Sequence, residues 1–402
     1  MKHLYLIAAL YFLTWGANAQ NNNNFDNKYQ NAAETLLSTD GKLVIGGYGE
    51  VHYNQALSNT TRNNGALDVH RMVMLLGYNF NSKTQFVSEL EFEHVSEVYV
   101  EQAFLQHKIS NSINLRAGLM LIPMGIINEY HEPTTFNGVE RPLLDTKLSP
   151  TTWREIGLGF SGTIFAASLK YQLYVVNGFN GYKNGVATLG GKNGFRSGRQ
   201  KGAEAYSSSP NFTGKVEFYG LRGLNLGLSG YVGNTQSTLY NGVDKSNETA
   251  LAKADSSVAS IAMIGVDARY NLGGWQMRGQ FYYSAIGNTE QYNRFSAKNG
   301  VNNDLGSAMM GYYVEAGYNV LKFASKTNTE LVPFVRYENY NTHHATAAAL
   351  PQNQSYNNNI VTTGLTYKLA QGVVVKADLQ FQKSAAASEY SKVFNAGIGV
   401  MF

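Results

Sequence analysis

The chain ends VFNAGIGVMF, residues 393–402. Read alternately, Phe394, Ala396, Ile398, Val400 and Phe402 fall on one side, and Asn395, Gly397, Gly399 and Met401 on the other. Period-two alternation of this kind is a strand with one greasy face and one small or polar face. A water-soluble protein has little reason to finish on an exposed phenylalanine. The fold therefore turns on whether that greasy face meets water or something else.

The same pattern recurs through the chain. Sixteen segments carry it: 43–54, 67–80, 83–93, 98–109, 113–121, 155–161, 165–176, 211–220, 223–233, 258–270, 272–285, 308–320, 329–340, 357–369, 371–383 and 390–402. Many are about ten residues long, as a tilted bilayer-crossing strand requires. Their connections alternate in length. Short links at 81–82, 110–112, 162–164, 221–222, 271 and 370, with a longer one near 321–328, alternate with mostly long loops at 55–66, 94–97, 122–154, 177–210, 234–257, 286–307, 341–356 and 384–389. Tight turns at one end and long loops at the other are the outer-membrane barrel pattern.

The faces agree. In 272–285, Trp275, Met277, Gly279, Phe281 and Tyr283 alternate with Gln276, Arg278, Gln280, Tyr282 and Ser284; in 371–383, Val373, Val375, Ala377, Leu379 and Phe381 alternate with Val374, Lys376, Asp378, Gln380 and Gln382. The apolar series is expected to face lipid and the polar series a wet lumen. Tyr53, Phe92, Tyr219, Tyr270, Trp275, Tyr283, Tyr340 and Phe381 lie near segment ends and suit interfacial girdles. Lipid offers no partner for a free N–H or C=O, so such a sheet must close on itself. Sixteen strands leave room for an aqueous lumen. The expected fold is an all-β, transmembrane, antiparallel up-and-down barrel with short periplasmic turns and long extracellular loops. Pro333 must then sit where a ladder bond is missing, such as a bulge. In 67–80, Arg71 shares the apolar series with Val69, Val73 and Leu75; either it snorkels to headgroups or a bulge shifts the register.

Composition fits this class. Of 402 residues only 15% are charged, against roughly 25% in soluble domains. The net charge of +4 is too near balance for a nucleic-acid binder. There is no cysteine, hence no disulfide framework. Residues 1–19, with Lys2, an apolar run and the small Ala17-Asn18-Ala19 end, read as a signal peptide cut before Gln20. Residues 20–42 read as a polar periplasmic lead-in, with a helical turn near Ala32, and 43–402 as the barrel.

Residues 115–162 resemble the phosphate-selective porin O/P family, in a form common in porin-like proteins of Bacteroidetes. The resemblance is carried by Arg116-Ala117-Gly118, Pro123-Met124-Gly125, Glu129, Val139-Glu140-Arg141 and the return from Arg154 to Gly162. It implies a sixteen-stranded barrel, usually a homotrimer, in the outer membrane of a Gram-negative bacterium. It also implies that the Phe402 strand is read by the barrel-assembly machinery. Phosphate-specific members carry a dense basic ladder, whereas here the basic residues are scattered among acids.

Loop 122–154 is long enough to fold into the lumen. Its Glu129, His131, Glu132, Glu140, Arg141, Asp145, Lys147 and Arg154 are constriction candidates, with Glu89, Glu91, Arg116, Lys170, Arg269, Arg278, Arg336 and Lys376 on the wall. Acids concentrate on the early strands and bases on the later ones. Either a transverse field crosses the pore, or wall charges pair with loop charges and fix the loop. The stretch from Gly157 to Gly162 matches G-x-G-x-x-G, but no helix follows to hold a pyrophosphate. No catalytic motif, cofactor site or trusted metal spacing is present, and His343-His344 reads as a solvated loop pair. The expected function is passive diffusion of small hydrophilic solutes or ions, with a preference for anions such as phosphate open. A plugged surface receptor or adhesin, or a barrel hydrolase, are the alternatives.

Overall fold

The computed structural model describes residues 31–324, 329–347 and 350–402. The expected signal peptide and the start of the polar lead-in lie outside them. Sixteen antiparallel strands close into one barrel. They are β1 (Leu43–Leu57), β2 (Ala66–Asn79), β3 (Thr84–Glu93), β4 (Glu97–Lys108), β5 (Asn114–Leu121), β6 (Arg154–Ile164), β7 (Leu169–Val176) and β8 (Asn211–Leu221). Then come β9 (Leu224–Asn234), β10 (Ser260–Leu272), β11 (Trp275–Gly287), β12 (Ala308–Tyr318), β13 (Glu330–Ala345), β14 (Asn357–Ala370), β15 (Val373–Ser384) and β16 (Ser391–Met401). Each pairs with its sequence neighbours, and β1 pairs with β16 from Tyr48↔Met401 to Leu57↔Lys392. Phe402 adds a last rung: its N–H donates to the Gly47 carbonyl and its carbonyl accepts from the Gly47 N–H, both at 2.9 Å. No sheet edge is left, which lipid requires.

The greasy faces point outward. Ile398, Val400 and Phe402 are exposed while Asn395 is buried. The same split holds for Met277 and Phe281 against Gln280 and Tyr282, and for Val375 and Leu379 against Lys376 and Asp378. An exposed apolar belt around a closed cylinder is a lipid-facing surface.

Two local expectations are corrected, at 162–164 and Tyr340, and two left open, at Arg71 and Pro333, are decided. The turn expected at 162–164 lies at Phe165–Ala167, because the ladder with β7 runs on to Ile164↔Leu169. Arg71 does not snorkel: the pairing jumps from Glu50↔Arg71 to Val51↔Val69, and this bulge turns Arg71 into the lumen while Met72 and Met74 face out. Pro333 is not at a bulge; it pairs with Leu365 just beyond Phe334, where the β12 ladder stops. Tyr340 is no girdle residue, since it is buried on the same parity as Arg336 and Glu338.

The lumen is filled from two sources. Before β1, the helix α1 (Ala32–Ser38) packs against β1, β2 and β3 at the turn end. It starts with a capping box: the Asn31 side chain accepts from the Glu34 N–H, and the Glu34 carboxylate accepts from the Asn31 N–H. The second source is the loop between β5 and β6. Above it, loops 177–210, 235–259 and 288–307 fold together at the loop end. Short strands at Asn180–Lys183, Val186–Ala187 and Gln236–Ser237 form a small sheet there.

Candidate functional site

Loop 122–153 leaves β5 and crosses the lumen before returning into β6. Its neck is tied by Ile122 N–H donating to Trp153 O at 3.0 Å. Asn128 reinforces that tie, donating to Ile122 O (2.7 Å) and Trp153 O (2.9 Å) and accepting from the Trp153 N–H (2.7 Å). Trp153 stacks on Phe179 of the next long loop at 4.2 Å. Ile122, Met124, Ile126, Ile127, Leu144 and Leu148 are wholly buried, so the loop has an apolar core of its own. At Gly125 the backbone takes φ +74°, and a Cβ would lie 1.8 Å from the Tyr282 hydroxyl; only glycine fits.

The loop is held around most of the wall. On the β1–β4 arc, Arg71 donates to Glu50 (2.6 Å) and to the His131 carbonyl (2.5 Å). Tyr48 bridges Glu101 and His131, each at 3.1 Å. Glu89 and Glu91 are buried there, with Glu91 3.9 Å from Arg71. Glu140 pairs with His52 (3.2 Å) and Asn54 (2.9 Å), and Arg141 lies 3.9 Å from Glu50. Across the lumen, Lys215 of β8 donates to Gly125 O (2.7 Å) and Glu129 (2.8 Å). Arg269 pairs with Glu217 at 2.6 Å and lies over the Tyr130 ring. Further round, Arg278 and Arg336 share Glu315, at 3.1 and 3.4 Å. Arg336 also donates to Asn137 O and Glu140 O. Asp378 accepts from the Val139 N–H at 2.7 Å, and Lys376 sits over the Phe136 ring at 3.8 Å. Asp145, in the short helix α2 (Leu144–Lys147), accepts from Tyr282 at 2.8 Å.

Loop carboxyls respond oppositely to this setting. Burial alone would raise Glu140, but its hydrogen bond and charge contact with His52 hold it at about 2. Burial pushes Asp145 up to about 8 despite the Tyr282 hydrogen bond, with Glu338 adding repulsion. Burial likewise raises Glu132, which accepts from the Ala32 N–H of α1.

Two cavities lie on either side of the loop and share no lining residue. One, of about 130 Å³, sits at the turn end between α1 and the β4–β8 wall; Arg116, Lys170, Glu34, Glu129, Lys215 and Glu217 reach it. The other, of about 200 Å³, is a vestibule at the loop end lined by Glu50, His52, Glu140, Arg141, Asp145 and Arg196.

No family model matches the sequence. An uncharacterised protein of Aquifex aeolicus (strain VF5) is 30% identical over 386 residues, spanning 92% of this chain and 82% of that protein. The chain belongs to the family of that Aquifex protein. Among solved structures, Salmonella typhi OmpF in complex with daunomycin is similar at TM-score 0.57 and 12% identity, covering 90% of this chain and 97% of its own. The outer membrane channel DcaP of Acinetobacter baumannii gives 0.57 and 10%, with coverages of 90% and 97%. An anion-selective porin from Comamonas acidovorans gives 0.56 and 14%, with coverages of 90% and 99%. At such identities the likeness is one of fold: this family member is a porin-like barrel of sixteen strands.

Within this barrel the expected residues are not one cluster. Glu129, His131, Glu132, Glu140, Arg141 and Asp145 reach the lumen from the loop, against Glu89, Glu91, Arg269, Arg336 and Lys376 from the wall. Arg116 and Lys170 belong to the turn-end cavity, where Arg116 donates to Gln106 (2.7 Å) and Lys170 pairs with Glu34 (3.5 Å). Lys147 reaches Asn193 at 3.4 Å, and Arg154 lies buried at the loop's return, 5.8 Å from the Tyr99 ring. His343 is a correction: β13 runs to Ala345, and His343 is buried, bonded to Asp304 O and to the Asn353 N–H, rather than solvated. Sequence reading missed Tyr48, Tyr282 and the lumenal role of α1. Asn31-x-x-Glu34 followed by Leu36 was a legible helix start, but nothing in it says that the helix enters the barrel.

Proposed function

We propose that this protein is an outer-membrane porin through which small hydrophilic solutes or ions diffuse passively, with loop 122–153 as its constriction. One observation carries this reading: a charge-lined third loop crosses the lumen of a closed sixteen-stranded barrel whose outer face is apolar. The outer membrane of a Gram-negative bacterium is the place that this surface fits, reached through a signal peptide cut before Gln20, with the Phe402 strand recognised during barrel assembly. Kinship with the phosphate-selective porins rests on the sequence resemblance alone, at Arg116, Gly125, Glu129, Glu140 and Arg141. A dense basic ladder is not supported, because Lys215, Arg269, Arg278 and Arg336 each face a carboxylate. A milder anion preference is supported at the mouth. Arg141 and Arg196 line the vestibule beside Glu50 and Glu140, and burial raises Asp145 there to about 8. A homotrimer is in keeping with the fold, since a solved structure of Vibrio cholerae OmpT with TM-score 0.51 is a trimer form. Nothing in the site asks for catalysis.

A specific observation favours a second reading, a plugged surface receptor. At mid-height the lumen-facing Glu89, Glu101, Asp267, Arg336, Glu338 and Thr362 are all about 2% exposed or less. On this second reading the loop and α1 together close the lumen. Efflux from liposomes separates the two: a porin releases entrapped small sugars and phosphate while retaining dextran, and a plugged receptor releases neither.

A further inference from the structure

Two bulges meet at one corner of the lumen. The first turns Arg71 inward, as described. The second falls between Glu89 and Leu90 opposite β4, where the pairing passes from Glu89↔Gln102 to Leu90↔Val100. Glu101 is the extra residue, so Glu101 and Gln102 are consecutive and both buried. Bulges re-aim side chains at functional sites. Here the result is that Glu101 stands beside Glu89 of the next strand, and His131 descends from the loop onto both. One ligating atom from each of Glu89, Glu101 and His131 lies within 4.8 Å of the other two.

The corner is rich in carboxylate oxygens. Glu89 Oε2 and Glu101 Oε1 are buried with no hydrogen-bond partner, and so is Glu132 Oε2 on the residue after His131. Two guanidinium groups act on Glu101: Arg154, and Arg71, which already serves Glu50 and the His131 carbonyl. Unpaired buried carboxylates are strongly unfavourable unless a proton or cation joins them. His131 is set up to help. Its Nδ1 lies 3.2 Å from Asn128 O; in the tautomer that donates there, Nε2, 3.1 Å from the Tyr48 hydroxyl and 3.5 Å from Glu101, carries no proton and can ligate. A ring N–H on a backbone carbonyl is the usual outer-shell arrangement of a metal-ligating histidine. Asn128 is in turn fixed by the loop's neck.

We propose that Glu89, Glu101 and His131 form a binding site for a divalent transition-metal ion of the zinc type, clasping loop 122–153 to the β3–β4 wall. Two carboxylate oxygens and one imidazole nitrogen suit zinc, whereas calcium and magnesium take oxygen alone. The Tyr48 hydroxyl, 3.1 Å from both Glu101 and His131, would orient the two ligands. The inference stands apart from the porin reading, since a receptor or a channel could equally carry such a clasp.

Zinc titration by calorimetry tests it. The full chain is purified in detergent without a histidine tag and stripped with chelator. The expected result is one zinc per chain with micromolar or tighter affinity, and a higher temperature for the heat-induced gel shift of the folded barrel. Glu89→Gln and His131→Ala should each weaken binding by about tenfold or more. Asp68→Asn with His94→Ala should leave it unchanged; those residues form a separate rim cluster with His70, where His94 pairs with Asp68 at 2.7 Å. Should His131→Ala fail to fold, the near-isosteric Glu89→Gln and cobalt absorption displaced by zinc in the wild type still decide the matter. Folded wild-type protein that binds neither ion leaves only a His131–Glu101 ion pair and overturns the proposal. So does binding that survives Glu89→Gln and His131→Ala, or binding lost in the rim variant.

Discussion

Arg71 Nε donates to Glu50 Oε1 at 2.6 Å across the β1–β2 bulge, with both side chains buried. The same guanidinium donates to the His131 carbonyl, so one wall residue holds both a wall carboxylate and the loop. Removing one member of a buried pair costs about 3–5 kcal/mol, because the other charge is left uncompensated. Arg71→Met should therefore lower the temperature of the heat-induced gel shift and loosen the loop. Wild-type stability in that variant would mean that the pair does not hold the loop.

Asp145 supplies a pH dependence. Its folded value of about 8 lies above the ordinary carboxyl value of roughly 3.9, so the folded state binds the proton more tightly. That contribution is complete below about pH 4 and is lost as pH rises through 8. The neighbours are Tyr282 and Glu338, with Arg336 and Arg141 on the opposing side. Wild-type protein should lose thermal stability between pH 5 and 9, and Asp145→Asn should lose less. Parallel declines would remove Asp145 from the account.

The plug at the turn end should be removable. α1 is tied by Glu34 to Lys170, by the Ala32 N–H to Glu132, and by Leu37 O to Gln85. Deleting residues 31–38 should raise ion conductance in bilayers while the barrel still shows its gel shift. Unchanged conductance would place the limiting barrier wholly in the loop.

Charge at the mouth should tune ion choice. Arg141 and Arg196 line the vestibule, and Arg141 makes only a 3.9 Å contact with Glu50, so its loss leaves little unpaired. Arg141→Gln with Arg196→Gln should shift the reversal potential in a KCl gradient toward cations. An unmoved potential would remove the vestibule from selectivity.

How much of this was legible before the fold was known depends on the range of the interaction. Alternation in 371–383 told Lys376 and Asp378 from Val375 and Leu379, because lipid and lumen sort side chains residue by residue. Loop lengths gave the strand order for the same local reason. Where one extra residue changes the register, alternation fails: Arg71 could be read either way, and the pairing of Glu101 with Glu89 was invisible. The contents of the lumen were also hidden. Asp145 meets Tyr282, Asn137 meets Glu315 and Ala32 meets Glu132 across large sequence separations. No spacing along the chain announces such contacts. Phe165 and Ala167 continued an apolar series into a turn, and only the β6–β7 ladder shows where the strand stops.

Single-channel recording of the wild-type protein in planar bilayers, in KCl and then in potassium phosphate, bears most directly on whether charged solutes cross this loop-spanned lumen. The account predicts stable open steps in both salts, with a reversal potential that favours the anion modestly. A correctly folded barrel that stays silent in both salts would contradict it.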